Sequence, residues 1–254
     1  PHGKSGAAFR KETAFRDGCM PGGGTGGMES LEEGYRTYAE RGPDRLGPFL
    51  ISKMIANSAS GNISIRWGLR GPNSAIATAC ASAANAIGDA FKIIQIGHAD
   101  AMVTGGSEAA ITHMGLGGFA SMRALSTRND DPTRASRPFD RDRDGFVLAE
   151  GAGILILEEE SRARKRGARI YAEVIGYGLS GDAYHITSPS PDGDGGFRSM
   201  AAALKRAGLT ASDLDYINAH GTSTPLGDEI ELGAVERLLG NAASKVAMSS
   251  TKSS

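Results

Sequence analysis

The sequence has little cysteine, almost no charge imbalance and no long apolar run. Its 254 residues contain two cysteines, Cys19 and Cys80, which excludes a disulfide-stapled scaffold and is typical of a reducing compartment. The net charge of −1 gives no basic surface for nucleic acid. The apolar runs fall short of the roughly 18 residues that a membrane-spanning helix needs. We therefore expect no nucleic-acid partner and no membrane association, and a cytoplasmic location (plastid or mitochondrion if the source is eukaryotic).

Glycine and apolar residues are plentiful, and their spacing predicts alternating strands and helices. The 36 glycines suit an α/β protein with many short connections. A glycine turn is predicted at 21–28, and helices at 29–41, 45–62, 84–96, 161–167, 197–209 and 228–240. Strands are predicted at 63–69, 75–80, 99–110, 153–159, 168–178, 214–220 and 245–250. The alternation in the second half predicts a parallel or mixed sheet with helices on both faces.

Cys80 is the first candidate for chemistry. It lies in AIATACASAA (75–84), where a β-branched stretch runs into an Ala-rich helical pattern. The thiol would emerge from the end of a strand at the first turn of a helix, where unpaired N–H groups and the helix dipole favour a thiolate. Cys80 is therefore a candidate nucleophile.

Two further candidates follow predicted strands. His220 lies in NAHGTSTPLGDEIE (218–231), and Lys252 lies in SSTK (249–252). In an open parallel sheet the carboxyl ends of the strands meet at one edge, so we expect Cys80, His220 and Lys252 to share one site. Asp228 is predicted to cap the following helix, with Glu231 completing a capping box.

Three segments, TACASAANAIGDA, NAHGTSTPLGD and SSTKS, resemble the active-site segments of the β-ketoacyl-[acyl-carrier-protein] synthases, condensing enzymes of the thiolase superfamily. The elongating type is most similar. The segments at 117–130, 135–153 and 182–189 resemble this family as well, so that the resemblance spans about residues 22–254. It implies a thiolase-like, layered α/β/α/β/α fold with mixed sheets, incomplete in this chain. Residues 1–20 stay unassigned, 21–160 form an N-terminal half that carries the nucleophile, and 161–254 begin a C-terminal half.

The resemblance implies a 3-oxoacyl-[acyl-carrier-protein] synthase of fatty acid elongation, an acyltransferase without a cofactor or metal. Cys80 would take an acyl group from a carrier-protein thioester. Malonyl carrier protein would then lose CO₂, and its carbanion would attack acyl-Cys80. His220 matches the first of two active-site histidines and would stabilise an enolate oxygen by donating its N–H, a contribution of about 3–4 kcal/mol. Lys252 matches the lysine that supports the electrostatics of that pair.

Other positions match substrate contacts of the family. Thr187, Thr222 and Thr224 match positions that line the tunnel for the phosphopantetheine arm, and Phe146 matches an aromatic residue close to the nucleophile. Thr25 stands where the family usually has a larger apolar residue that shapes the acyl pocket, so the family's acyl-length preference does not carry over. The implied partners are acyl carrier protein and a second copy of the chain in a homodimer.

The sequence ends at SSTKSS, directly after its last predicted strand, and we interpret this as truncation of a longer fold. In the family a second histidine follows the lysine by a few residues, and a second oxyanion donor lies in a later loop. Both positions would fall beyond residue 254. We therefore expect this chain by itself to condense substrates poorly or not at all.

Alternative functions stay open. A polyketide ketosynthase uses the same chemistry, although TSTP after His220 and the STKS segment favour the fatty-acid type. An inactive ketosynthase-like fragment or partner subunit is a second alternative, but such partners typically lose the nucleophile. A Cys–His hydrolase is disfavoured because no Asn or Asp orienting the histidine is evident. The Asp-rich segment at 140–145 resembles the start of a calcium loop, but its twelfth position is Gly151, so we predict no metal there.

Overall fold

The computed structural model of the chain describes residue 9 and residues 11–253. Its contacts group into two compact units, the first formed by Pro1–Leu116 and Ala149–Glu173 and the second by Gly117–Leu148 and Val174–Ser254. The helices are α1 (Met28–Arg41), α2 (Leu50–Met54), α3 (Ser58–Trp67), α4 (Ser82–Gln95), α5 (His113–Ser121), α6 (Glu160–Lys165), α7 (Asp194–Ala207) and α8 (Pro225–Leu239). The strands are β1 (Asp17–Gly22), β2 (Ala101–Glu108), β3 (Gly151–Glu158), β4 (Tyr216–Asn218) and β5 (Ala247–Ser249). The division near residue 160 stays a prediction.

The first unit is built on a mixed sheet, which confirms the predicted α/β class. β1 pairs with β2 in parallel, and β2 pairs with β3 in antiparallel fashion. Helix α4 packs on this sheet through Ala86 and Ala90, which are fully buried against Met20 and Met102. Each fully buried methionine contributes roughly 1.5–3 kcal/mol to stability. This core fixes the start of α4, and with it the segment that carries Cys80.

Strand β1 was not predicted, because its sequence DGCMPG has poor strand propensity. All six of its residues are nevertheless buried. A Cβ atom on Gly18 would lie 2.4 Å from the carbonyl oxygen of Pro72, and one on Gly22 would lie 2.3 Å from the carbonyl of Ser82. Close approach of neighbouring backbone thus requires glycine here, and tertiary packing overrides local propensity.

The predicted strand at 75–80 is wrong as a regular strand. The chain runs parallel to β1 only through isolated bridges, including Cys19 opposite Asn73 and Gly22 opposite Ile76. Ile76 donates its N–H to the carbonyl oxygen of Pro21 (3.2 Å). Pro21 has no N–H, so it cannot donate the ladder hydrogen bond expected of a strand residue at this position. The ladder is interrupted at this proline, and the chain then turns into α4.

The predicted strand at 63–69 is also wrong, because these residues continue helix α3 up to Trp67. Ser60 is buried, and Ile63 packs on the buried cluster of Cys19, Leu69 and Val103. The i, i+3 spacing of these two residues buries one helical face, which outweighs the strand preference of β-branched side chains. The predicted helix at 45–62 is divided into α2 and α3 by a turn at 55–57.

The predicted strand at 168–178 forms no regular element in the part of the chain that the structure describes. A β-branched sequence becomes a strand only where a neighbouring backbone accepts and donates its ladder hydrogen bonds. Its end packs on α7 instead, since a Cβ atom on Gly178 would lie 1.9 Å from the carbonyl oxygen of Ser199. Strand β3 is confirmed, but its first five residues are exposed rather than buried on both faces.

The second unit contains β4 and β5, paired in parallel, and the helices α7 and α8. Gly208 ends α7 in the left-handed conformation (φ +69°), as its position after the amphipathic stretch predicts. Helix α8 begins at Pro225 with Thr224 as its N-cap, so the predicted capping role of Asp228 is wrong. Proline is favoured at the first helical position because its fixed φ suits the helix and its missing N–H would be unpaired anyway.

Candidate active site

Cys80 lies in a tight turn two residues before α4, and its thiol is free and exposed. The preceding residue, Ala79, has a left-handed backbone with φ of +49°. Ser82 holds this turn: its hydroxyl accepts the N–H of Thr78 (2.9 Å) and donates to the carbonyl oxygen of Ala79 (2.7 Å). The turn presents the exposed thiol of Cys80 just before a helix that is itself anchored in the core.

Thr25 lies in the same unit, in the glycine segment after β1. Its hydroxyl donates to one carboxylate oxygen of Glu108 (3.0 Å), and the N–H of Gly24 donates to the other (2.6 Å). An open groove of about 520 Å³ adjoins this segment, with Gly22, Gly26, Lys53, Glu108 and Glu150 among its lining residues. Thr25 is thus held by Glu108, a residue that lines the groove.

His220 and Lys252 lie together in the second unit, after the carboxyl ends of the paired strands β4 and β5. The ammonium group of Lys252 donates to the backbone carbonyl oxygen of His220 (2.6 Å). The hydroxyl of Ser250 donates to the carbonyl oxygen of Gly221 (2.9 Å) and accepts the N–H of Lys252 (3.2 Å). His220 and Lys252 thus lie side by side after neighbouring parallel strands, and a site that they share with Cys80 stays a prediction.

Glu231, on helix α8, holds the backbone of the loop that carries His220. One carboxylate oxygen accepts the N–H of His220 (2.6 Å), and the other accepts the N–H of Gly221 (2.8 Å). Hydrogen bonds to a charged carboxylate are stronger than neutral ones, so this two-point contact orients the backbone from which the imidazole projects. The predicted capping-box role of Glu231 is therefore wrong, because its carboxylate is bonded to the His220 loop instead.

The pKa of His220 is lowered from its ordinary value. Partial withdrawal of the ring from water is the largest cause, because it disfavours the charged imidazolium, and the positive charge of Lys252 acts in the same direction. The carboxylates of Glu231 and Asp228 oppose the shift. The neutral imidazole, with one N–H to donate, is thus the favoured form near neutral pH.

Apart from Thr25, the positions predicted to contact substrate lie in loops of the second unit. The hydroxyl oxygens of Thr222 and Thr224 are 3.1 Å apart, and both residues are half-buried. Phe146 packs edge-to-face on Phe119, with ring centroids 5.2 Å apart. Thr187 is exposed, and its N–H donates to Nδ1 of His185 (3.2 Å). Their contacts with substrate stay predictions.

A second loop, residues 137–145, is hydrogen-bonded to the loop that carries Thr222 and Thr224. The N–H of Arg137 donates to the hydroxyl of Ser223 (3.0 Å), and the N–H of Gly145 donates to the carbonyl oxygen of the same serine (3.0 Å). The guanidinium of Arg143 donates to the carbonyl oxygens of Thr224 (3.1 Å) and Pro225 (2.5 Å). Neither Ser223 nor Arg143 carries a local sequence signal, since their contacts join segments far apart in the chain.

The aspartate carboxylates of the 137–145 loop accept hydrogen bonds from other groups of the protein. Asp140 accepts the N–H of Asp142 (2.8 Å) and pairs with Arg137 (2.9 Å), and Asp144 accepts the hydroxyl of Ser126 (2.6 Å). Among the described residues no group of three or more histidine, cysteine or acidic side chains is arranged to hold a metal ion. Over the same residues, no helix is both long and apolar enough to cross a membrane.

Comparison with protein families places two matches on the chain. The β-ketoacyl synthase N-terminal domain matches residues 7–163, and the β-ketoacyl synthase C-terminal domain matches residues 171–254. The match thus begins earlier than residue 22, where the resemblance in the sequence was expected to start. Residues 7–20 therefore belong to the matched region rather than to an unassigned segment.

Two curated relatives are similar over almost the whole chain. The 3-oxoacyl-[acyl-carrier-protein] synthase 2 of Rhizobium meliloti (strain 1021) is 58% identical over 243 residues, which cover 95% of this chain and 58% of that protein. The protein of the same name from Vibrio cholerae is 54% identical over 250 residues, covering 98% of this chain and 60% of that protein. The chain thus spans about three fifths of the length of these relatives.

Solved structures show the same fold. A type II polyketide synthase acyl-carrier protein in complex with its ketosynthase bound to the hexaketide matches with a TM-score of 0.92 and 35% identity, over 96% of this chain and 62% of that one. A β-ketoacyl synthase from Burkholderia phymatum STM815 matches with a TM-score of 0.89 and 36% identity, over 97% and 59%. These likenesses confirm the predicted thiolase-like α/β fold class.

Proposed function

The chain belongs to the β-ketoacyl synthase family, and we propose that in its complete protein it acts as a 3-oxoacyl-[acyl-carrier-protein] synthase. The reaction is a decarboxylating condensation that lengthens an acyl chain by two carbons in fatty acid synthesis. Identities of 58% and 54% to curated 3-oxoacyl-[acyl-carrier-protein] synthases support this assignment. In the structure, the lysine-bound histidine with a lowered pKa is the observation that carries it.

In this proposal Cys80 is the nucleophile. Its sulfur attacks the carbonyl carbon of an acyl-carrier-protein thioester, and the pantetheine thiol of the carrier leaves with a proton. Malonyl carrier protein then loses CO₂, and the two electrons of the broken C–C bond form an enolate. The enolate carbon attacks the acyl-Cys80 carbonyl, the cysteine thiolate leaves, and a β-ketoacyl carrier protein is released. The exposed thiol in a fixed turn supports the nucleophilic role.

His220 stabilises the enolate oxygen by donating the N–H of a neutral imidazole. One such donor contributes about 3–4 kcal/mol to lowering the barrier. The lowered pKa of His220 supports this role, because an imidazolium would hand its proton to the carbanion and quench it. Lys252 is a supporting residue, since its ammonium group holds the histidine carbonyl and its charge adds to the withdrawal from water that lowers the pKa of the ring.

The proposed partner is acyl carrier protein, and the substrates arrive on its phosphopantetheine arm without any further cofactor. Thr222, Thr224 and Thr187 bind the amides of the arm, Phe146 lies near the reacting carbon, and Thr25 shapes the acyl pocket. A ketosynthase of similar fold has been solved in complex with an acyl-carrier protein, which supports this partner. We include a homodimer and a cytoplasmic location in the proposal, and the absence of a disulfide on Cys19 and Cys80 suits a reducing compartment.

A polyketide ketosynthase is the second candidate. The high TM-score to a type II polyketide ketosynthase favours it, but the identity to that chain is 35%, against 58% to a curated 3-oxoacyl-[acyl-carrier-protein] synthase. The fatty-acid assignment is therefore the stronger one.

Mass spectrometry of the full-length protein tests the proposal. The protein is incubated with acyl carrier protein loaded with a saturated acyl chain, and the acyl group is expected on the Cys80 peptide. Addition of malonyl carrier protein should then release a β-ketoacyl product, and Cys80→Ala should abolish both steps. An acyl label on another residue, or full-length protein that is acylated but gives no condensation product, would contradict the assignment. Turnover of polyketide intermediates in preference to saturated chains would favour the second candidate.

A further inference from the structure

Ser223 is a buried, strained residue between the two half-buried threonines of the histidine loop. It is 0% exposed, and its φ of +68° lies in the left-handed region, which residues other than glycine seldom adopt. A non-glycine residue persists in such a conformation only where the surrounding structure holds it there, and such strain is concentrated at functional sites.

Two hydrogen bonds from the 137–145 loop hold Ser223 in this conformation. Its hydroxyl accepts the N–H of Arg137 (3.0 Å), and its carbonyl oxygen accepts the N–H of Gly145 (3.0 Å). The side chain and the main chain of one residue are thus fixed independently, which leaves the peptide units on either side with little freedom to rotate.

This anchoring determines where the neighbouring side chains lie. Along residues 221–224 burial alternates, with Gly221 and Ser223 buried and Thr222 and Thr224 half-buried. The inward-facing serine therefore turns both threonine hydroxyls to the other side of the loop, where their oxygens lie 3.1 Å apart. Gly145, which donates to Ser223, directly precedes Phe146, so the same serine also fixes the start of the segment that carries the aromatic residue.

We propose that Ser223 is a positioning residue for the carrier arm: through its bonds to Arg137 and Gly145 it holds the Thr222–Thr224 hydroxyl pair in the geometry that binds the amides of pantetheine. This inference rests on the proposed function, since it assumes that these threonines meet the arm. Ser223 itself touches no substrate. Its removal should therefore weaken recognition of the arm without changing how the carrier protein's own surface is recognised.

Calorimetric binding of holo-carrier protein, which bears the arm, and apo-carrier protein, which lacks it, separates these effects in the full-length protein. Wild type should bind the holo form at least tenfold more tightly. Ser223→Ala should lose most of this preference, at least fivefold, with unchanged affinity for the apo form. Ser223→Gly adopts a positive φ without strain and keeps the fold if the alanine variant unfolds, yet it lacks the same hydroxyl and should lose the same preference. Ser212→Ala, which removes a hydroxyl from an exposed position of the same unit, should behave as wild type.

A combined variant tests whether Ser223 acts through Thr222 and Thr224. If it does, Thr222→Ala/Thr224→Ala should lose the holo preference, and adding Ser223→Ala should cause no further loss. A Ser223 variant that keeps the preference for the holo form would overturn the positioning role. The role would also be overturned if the loss of preference caused by Ser223→Ala added in full to that of the double threonine variant. A wild-type protein that binds both carrier forms equally would instead refute the proposed function on which the inference rests.

Discussion

The ammonium group of Lys252 lies 2.6 Å from the backbone carbonyl oxygen of His220. The two residues follow adjacent parallel strands, so the sheet register brings them together. Withdrawal from water contributes most to the lowered pKa of the imidazole, and the lysine charge adds to it. This charge can be removed by mutation while the strands stay paired.

Replacing Lys252 by methionine should raise the pKa of His220, because the neighbouring positive charge that disfavours the imidazolium is lost. A raised pKa protonates more of the ring at mildly acid pH, so the condensation proposed for the full-length protein should fall more at pH 6 than at pH 8. Titration of the His220 ring protons by NMR measures the shift. Lys245→Met, in the same unit, is the matched control, and a pKa of His220 that stays the same or falls in Lys252→Met would contradict the prediction.

Replacing Glu231 by glutamine should shift the same pKa in the opposite direction. The carboxylate raises the pKa of His220 through its negative charge, and a neutral amide does not. Glutamine also offers one acceptor oxygen where the carboxylate offers two, so either the N–H of His220 or that of Gly221 loses its partner. We expect a loss of about 1–3 kcal/mol in the free energy of unfolding.

Urea unfolding together with the NMR titration checks both effects of Glu231→Gln. Glu229→Gln, an exposed neighbour on α8, serves as the control and should change neither quantity. A histidine pKa that rises in the Glu231 variant would mean that its charge is not what the ring senses.

The two cysteines should differ sharply in reactivity. Cys19 is 0% exposed, and burial raises its pKa to about 11, whereas Cys80 is exposed. Since the thiolate is the reactive form, iodoacetamide at pH 8 should label Cys80 within minutes and Cys19 only after unfolding in urea. Peptide mass spectrometry over a time course measures both rates, and equal labelling of the folded protein would contradict the burial of β1.

Alanine substitutions at two glycines should have opposite effects on stability. A Cβ atom on Gly22 would lie 2.3 Å from the carbonyl of Ser82, which would push β1 away from the start of α4. We expect Gly22→Ala to lower the free energy of unfolding by about 1–3 kcal/mol or more. A Cβ on Gly233, inside α8, meets nothing within 4 Å, so Gly233→Ala should stabilise by roughly 0.5–1 kcal/mol. Thermal unfolding compares them, and a neutral Gly22→Ala would contradict the close packing.

The sequence predicted those elements that are determined by residues close together in the chain. The amphipathic helix α7 and its stop at Gly208 follow from periodicity and one left-handed glycine. The placement of His220 and Lys252 after two strands also follows from pattern, because β4 and β5 are parallel neighbours. In these regions propensity, burial and topology all favour the same structure.

The remaining elements depend on distant contacts that the sequence does not display. β1 is a strand because its glycines allow Pro72 and Ser82 to approach closely, although its composition disfavours strands. Asp228 resembles an N-cap in sequence, but it is buried inside α8 and accepts the N–H of Phe139 (2.8 Å), a residue 89 positions away. Ser223 gains its significance from a loop more than 70 residues earlier in the chain.

The left-handed backbone of Ala79 limits which residues can replace it. Conformations of this kind disfavour L-residues by roughly 1–2 kcal/mol, and they penalise β-branched side chains most strongly. This position therefore tolerates small or locally hydrogen-bonding residues such as glycine, alanine and asparagine best. A valine or isoleucine at position 79 would fit only if the turn before Cys80 were rebuilt, so the backbone itself limits how this segment can be redesigned.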